Sequence, residues 1–321
     1  MIYIIVGMEE NIPLIENIPL IDNIDSAINR DDYGKILDII QNNNLNEDEI
    51  DYGFVNSCRI GNIKMVMIFI DLGADINTFN GISIVWACKY DKMNIISVLL
   101  DFNIDIRCDN YQCIKIAIMK NNKNLVNMLY EHDKHRLPKQ KLIDFMVISM
   151  QNNNLELVKY WIERGANLEV AFLEYVEKNV IFNYEILKFV FDNNAYVRYD
   201  EIDRKMVNYT AYDKNLDTLK LLHKFNIDIC SMDDNFFSYL VWTDKKDFIV
   251  YLLNNGYKIK DHMLILCLAI KNNIKLLKLL VDYGLNINQY SKEAFQKCWE
   301  CNSHDVAKFL LENGLVVDLD I

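Results

Sequence analysis

A short apolar helix that stops on Gly or Asn, written about ten times over, constrains this chain more than any other feature. The stops fall at Asn44, Gly73, Asn103, His132, Gly165, Asn194, Asn226, Gly256, Gly284 and Gly314, with a mean step of 30 residues. A fixed period of roughly 20 to 50 residues is the signature of a solenoid, whose units cannot bury their apolar faces alone and do so by stacking. The stop residue has a local cause. Many helices end on one residue in the left-handed region, which Gly enters without penalty and Asn at a small one. His132 is the least comfortable occupant of that position.

Counting backward from each stop exposes the helix. Four residues earlier stand Ile40, Phe69, Leu99, Met128, Trp161, Val190, Leu222, Leu252, Leu280 and Leu310; seven earlier stand Leu37, Val66, Ile96, Leu125, Val158, Leu187, Leu219, Ile249, Leu277 and Ala307. Apolar residues at this spacing share one helical face. Eleven residues before the stop, six units read Asn62, Asn121, Asn154, Asn183, Asn215 and Asn273, where Asn suits a tight turn and then caps the next helix. Nineteen before it, an apolar series runs from Phe54 and Ile84 to Phe295, with small residues such as Cys58, Cys88, Ala117, Ala211 and Ala269 four positions later. That is a first helix, small where backbones pack closely. The fold class is therefore all-α, a solenoid of about ten helix-turn-helix repeats, with strands nearly absent and only three Pro to interrupt it.

Two places depart from the array. The first 24 residues hold a tandem duplication, Glu10 to Ile15 and Glu16 to Ile21, each with one Pro, which reads as an N-terminal extension or cap on the first repeat. The charged run from Glu131 to Pro138 stretches one step to 33 residues and suggests a bend. The organisation expected is residues 1–24, repeats over 25–135, and repeats over 136–321 that can continue the preceding stack.

Gly61-Asn62-Ile63-Lys64-Met65-Val66 through Asp71-Leu72-Gly73-Ala74-Asp75-Ile76-Asn77 resembles the ankyrin repeat, and Glu163-Arg164-Gly165-Ala166-Asn167-Leu168 repeats the ending. The resemblance spans about residues 25–321. It is strong in the second helix and weak elsewhere, since Ile82-Ser83-Ile84-Val85 stands where the family has Thr-Pro-Leu-His. The step is also shorter than the family's roughly 33 residues, so the missing residues should come from the loops, leaving them short and irregular. The chain is similar to ankyrin-rich proteins of large DNA viruses and some intracellular bacteria, which implies recognition of a host or partner protein.

Other chemistry finds little support. A net charge of −12 without a basic stripe argues against nucleic acid, and no apolar run reaches membrane length. The opening Met1 to Gly7 is too short for a signal peptide, so the eight Cys are expected as reduced thiols in the cytoplasm (host cytoplasm if viral) or nucleus. Six of them, Cys58, Cys88, Cys113, Cys267, Cys298 and Cys301, fall in expected first helices. Cys298, Cys301 and His304 have ligand-like spacing, but three ligands spread over two turns make a poor zinc site. His132 and His135 lie in a charged loop, and no phosphate-cradling Gly loop or nucleophile elbow exists. No cofactor, no metal and no enzymatic activity are expected.

What remains is a binding face built from the loops and first helices. Phe79, Asp109, Tyr111, Tyr199, Asp200, Asp233, Asp234 and Tyr290 stand there. Aromatics anchor interfaces, and acidic neighbours favour a protein partner with a basic surface. The expected function is a non-enzymatic protein-protein interaction scaffold. The alternative is a substrate adaptor for a ubiquitin ligase, for which Leu137-Pro138 with Leu142 and Ile143 is the one faint candidate segment; an enzymatic or zinc-binding protein is the reading of another class.

Overall fold

The Asn expected before a second helix does, in five units, what its chemistry suggests. The side-chain oxygens of Asn62, Asn154, Asn183, Asn215 and Asn273 accept from the backbone N–H groups of Met65, Leu157, Ile186, Thr218 and Leu276 at 2.9–3.2 Å, satisfying a donor that the helix itself cannot. At the other end, Gly73, Asn103, Gly165, Asn194, Asn226, Gly256 and Gly284 all take φ between 50° and 97°. Behind Gly73 the chain closes with Gly73 N–H on Ile70 O and Ala74 N–H on Phe69 O, at 2.9 and 3.0 Å, the paired bonds that retire orphan carbonyls.

The structure, a computed structural model, describes residues 21–42, 45–179, 181–261, 263–288 and 290–313. The stops expected at Asn44 and Gly314, and the duplication apart from its last residue, lie outside them. Among the described residues there are twenty α-helices, one 3-10 turn at Ile229–Ser231 and no strand. The helices form ten pairs, α1 to α20: Ile21–Asn29 and Tyr33–Asn42, Glu47–Ile60 and Ile63–Asp71, Thr78–Lys89 and Met93–Asp101, Cys108–Met119 and Lys123–Asp133, Lys139–Gln151 and Leu155–Glu163, then Leu168–Lys178 and Tyr184–Asp192, Asp200–Asp213 and Leu216–Lys224, Asp234–Trp242 and Lys246–Asn254, Leu264–Lys271 and Ile274–Asp282, Ser291–Glu300 and His304–Glu312.

The chain divides into two compact units, Met1–Gly165 and Ala166–Ile321. In the first, each first helix packs on the next, α1 on α3, α3 on α5, α5 on α7 and α7 on α9, and each second helix packs on its own first helix. The step from α7 to α9 crosses the 131–138 loop, so stacking carries on past Pro138 within this unit. The second unit repeats the scheme from α11 to α19. The core is the series expected: Phe69, Leu99, Trp161, Val190, Leu222, Leu252 and Leu280 are fully buried, with Cys58, Cys88, Ala117, Ala211 and Ala269 equally so where neighbouring backbones approach. Each large apolar side chain taken from water contributes about 1.5–3 kcal/mol.

Two registers are off by one. Helix α8 does not stop at His132 but runs through it to Asp133, and Asn122 rather than Asn121 caps it, accepting from Leu125 N–H at 3.0 Å. Asn121 instead takes the left-handed turn before it. At its end Asp133 is buried and its carboxylate receives the Tyr111 hydroxyl at 3.2 Å. Leu129, not Met128, therefore fills the core. In α2, likewise, Ile36 and Ile39 are buried while Leu37 is 47% exposed. In the last pair Val306 is buried and Ala307 only partly so.

Candidate functional site

The loops between pairs are held by side-chain oxygens reaching backbone N–H groups. Asp75 N–H donates to Asp51 Oδ1 of the preceding first helix at 2.8 Å, and Asp75 Oδ1 accepts from Asn77 N–H at 2.9 Å. Asn77 Oδ1 accepts from Asp105 N–H of the next loop at 2.8 Å, and Asp105 Oδ1 accepts from Arg107 N–H at 2.9 Å. The i to i+2 bonds are Asx turns, the local use for which Asp and Asn suit loops. They recur at Asp228 with Cys230 and Asn286 with Asn288 in the second unit. The longer bonds tie one loop to its neighbour.

Beyond these anchors, the loops after Asn77 and Arg107 each make a tight left-handed turn. Phe79, Asn80 and Gly81 have φ of 49°, 57° and 70°, and Asp109, Asn110 and Tyr111 have 44°, 58° and 61°. Left-handed residues cost about 1–2 kcal/mol each outside Gly and usually occur singly. Here Gly81 N–H on Asn77 O and Tyr111 N–H on Arg107 O hold the turns shut at 3.0 and 3.3 Å. Gly81 suits the positive φ, and the space beside it is tight, because a Cβ there would sit 3.1 Å from the Asp105 carbonyl oxygen. Left-handed backbone at non-glycine residues is local strain of the kind that collects at functional loops.

Between the two turns lies a groove of about 570 Å³, lined by Asn77, Asn80, Gly81, Asp105, Arg107, Cys108 and Asp109. A smaller hollow of about 230 Å³ adjoins Asp105 and is closed by His132, Asp133, His135 and Arg136. Arg107 grips Asp105 through Nε and Nη2 at 2.8 and 2.6 Å, and this pairing holds the Asp105 carboxyl down at about 2. The Cys108 thiol moves the other way, to about 12, because of burial and then Asp105 and Asp109. It therefore stays protonated, the opposite of an activated cysteine.

The Asp105 shift has a pH consequence. The folded pKa lies below the ordinary value near 4, so the contribution of the pair is complete above about pH 4–5 and is lost as pH falls toward 2. An NMR titration of the Asp105 carboxyl should give a midpoint near 2, and Arg107→Ala should return it to the ordinary range. A midpoint near 4 in the native chain would contradict the geometry.

The proposed contact residues separate on this frame. Asp109 is exposed and lines the groove, and Phe79 is half-buried in the facing turn. Tyr111, the third residue of its turn, points inward: it is 5% exposed, packs edge-on to Phe145 at 6.1 Å and bonds Asp133, and burial followed by Asp133 pushes its hydroxyl to about 12. A loop contact was expected there, and the buried carboxylate explains why the ring is drawn in. In the second unit, Tyr199 and Asp200 are exposed at the start of α13 and Tyr290 is half-buried before α19. Asp233 holds its own loop by exchanging bonds with Asn208, 2.8 Å from its N–H and 2.6 Å to its carboxylate, and Asp234 receives the Tyr257 hydroxyl at 3.0 Å. The groove's other lining residues were missed; the recurrent Asp/Asn-Ile pairs at Asp75, Asp105, Asp228 and Asn286 were the available signal.

A stack of helix pairs joined by such loops has a known counterpart, and a family model described as ankyrin repeats (3 copies) matches residues 54–140 and 237–320, more than half of the chain. The chain belongs to the ankyrin-repeat family. No curated protein matches it. Ankyrin repeats are generally protein-protein interaction modules and are typically not catalytic. In the last ankyrin pair Cys298 is buried with its thiol pushed to about 11, by burial first, while Cys301 lies exposed just past α19 and not in it, and His304 is exposed at the start of α20. Among the described residues no three His, Cys, Asp or Glu side chains converge on a metal, and no helix of these ankyrin repeats is long and apolar enough to cross a membrane.

Proposed function

We propose that this ankyrin array is a non-enzymatic scaffold that takes a partner protein on its loop tips and first helices, through a basic surface on the partner. The groove between the turns at 79–81 and 109–111 carries this reading. Its walls are fixed before binding by the Asp51, Asp75, Asn77 and Asp105 bonds, so ordering the loops costs little at encounter. Asp109 stands exposed on its rim, while the Asp105 charge is already met by Arg107. An acidic rim steers a basic partner and speeds association. The free state of all eight thiols suits a reducing compartment such as cytoplasm or nucleus.

Crosslinking the chain in lysate and identifying captured proteins tests this reading. Asp109→Asn combined with Phe79→Ala should weaken the captured partner several-fold, with most of the loss in association rate and little change in Tm. Asn keeps the left-handed preference at position 109, so the turn survives. Unchanged capture would move the site off the loops. The adaptor reading gains nothing from Leu137 to Ile143, because Leu142 is buried inside the fifth pair.

A further inference from the structure

The run Cys298-Trp299-Glu300-Cys301 holds the one pair among the eight cysteines that stands three residues apart, and partner binding on the loops makes no use of it. It closes α19. Cys298 lies inside the helix and is 2% exposed, whereas Cys301 follows the helix and is exposed, alone among the eight thiols. By contrast Cys58, Cys88 and Cys113 are fully buried in α3, α5 and α7, out of reach of a solute.

Helical geometry sets how far apart the pair stands. Cys301 N–H still bonds Lys297 O at 3.0 Å, so its Cα lies on the cylinder of α19. Three steps of about 1.5 Å rise on a radius of about 2.3 Å then put the two Cα atoms about 5 Å apart. A disulfide joins Cα atoms about 4.4–6.8 Å apart. The Cβ atoms have further to come, because three residues apart on a helix they are about 5–6 Å from each other and a disulfide requires about 3.5–4.5 Å. The end of α19 supplies that movement. Cys301 has φ −104° and ψ 4°, outside helical values, and Asn302 turns left-handed at φ 56°. The Cys301 side chain can therefore swing toward Cys298 by opening one backbone bond, where the same pair in mid-helix would be held on both sides.

The two environments give the thiols different tasks. Exposure lets Cys301 meet an oxidant in solution first. Burial, with Cys301 adding to it, pushes the Cys298 thiol to about 11, so Cys298 stays protonated and shielded and acts second, on an oxidised neighbour. Catalytic dithiols gain their reactivity at helix N-termini; this pair ends a helix, which suits a target of oxidation and not a turnover catalyst.

We propose that Cys298 and Cys301 are a modification site for small peroxides, a dithiol at the end of α19 that closes reversibly to a disulfide. In the first step Cys301 Sγ attacks one oxygen of hydrogen peroxide, the O–O bond breaks, and the departing hydroxide takes the Cys301 thiol proton and leaves as water, with Cys301 now a sulfenic acid. In the second, Cys298 Sγ attacks Cys301 Sγ, the S–O bond breaks, and hydroxide takes the Cys298 proton and leaves as a second water. Two thiols thus give two electrons to one peroxide, and a thiol reductant returns them. The switch shares no residue with the loop groove and does not depend on the partner bound there.

The test treats the full chain, reduced and freed of reductant, with one equivalent of hydrogen peroxide, then alkylates the remaining thiols under denaturing conditions and reads tryptic peptides by mass spectrometry. The peptide 298–308, which carries both cysteines, should lose two hydrogens, two of the eight thiols should vanish from titration, and dithiothreitol should restore them. Cys301→Ser should slow thiol loss at least ten-fold. Cys298→Ala should strand Cys301 as a sulfenic acid that dimedone traps, an adduct at least ten-fold scarcer in the native chain. The native peptide map decides the case even where a variant folds poorly. Oxidation falling first on another cysteine, a disulfide between two chains, no thiol loss, or dimedone adduct on native Cys301 as abundant as in Cys298→Ala would overturn the proposal.

Discussion

Trp161→Ala should cost the first unit about 3–5 kcal/mol, the range for deleting a large buried aromatic. The residue sits four positions before Gly165, where every unit places an apolar side chain, and it is fully buried. Its ring lies 5.2 Å from Phe145 in the first helix of its own pair, 6.0 Å from Tyr130 in the preceding second helix and 4.9 Å from Tyr160. Edge contacts of this kind add about 0.5–1.5 kcal/mol beyond area burial. The indole N–H donates to Ser149 Oγ at 3.0 Å, and that hydroxyl donates to Phe145 O at 2.7 Å. Losing the indole thus opens a cavity at the joint of two pairs and removes the donor to a buried hydroxyl. In a stacked array such a joint carries the coupling between neighbours. Trp161→Phe, which keeps most of the ring, should lose much less. Urea unfolding of both variants at constant slope measures the difference, and a loss under about 0.5 kcal/mol for the alanine variant, the level of ordinary surface changes, would show that the ring is not packed as described.

The same residue illustrates how far the sequence could be read. Position, burial and partner helix of Trp161 follow from counting back from a stop whose identity, Gly165, is dictated by backbone sterics. The reading slipped where the stop was chemically ambiguous. Around His132 the runs Leu125-Val126 and Met128-Leu129 allow two registers. The Asn122 cap, three residues before Leu125 as Asn62 is before Met65, marks the right one locally, whereas the bond from the Tyr111 hydroxyl to the buried Asp133 joins two helices and leaves no local pattern. The loops divide in the same way. The Asp75 to Asn77 bond spans two residues and was legible as an Asx turn, whereas Asn77 reaching Asp105 N–H in the next loop depends on the stacking of two units. Tyr111 was assigned to the surface as a loop residue, although its ring is buried against Phe145 and its hydroxyl bonds Asp133.

Gly53→Ala should destabilise the chain by about 1–3 kcal/mol, against the usual direction. A glycine inside a helix normally gives way to alanine with a gain of about 0.8–1 kcal/mol, because alanine leaves less backbone entropy to lose. Gly53 lies within α3 and is buried, and a Cβ added there would fall 2.2–2.8 Å from three ring atoms of Phe69. Phe69 is itself fully buried, four residues before Gly73, so the ring cannot swing into solvent. The first helix of this pair has surrendered a side chain so that the second can press the end of a phenyl ring against its backbone. Inserting a methyl forces the ring off its rotamer or the helices apart, the overpacking penalty of a filled core. The explanation is specific enough to be reversed. In a Phe69→Leu background the ring is gone, and Gly53→Ala should become neutral or stabilising, giving a coupling of about 1–3 kcal/mol in the double-mutant cycle. Additive effects of the two substitutions would mean that the cost of alanine at position 53 arises somewhere other than at the Phe69 ring.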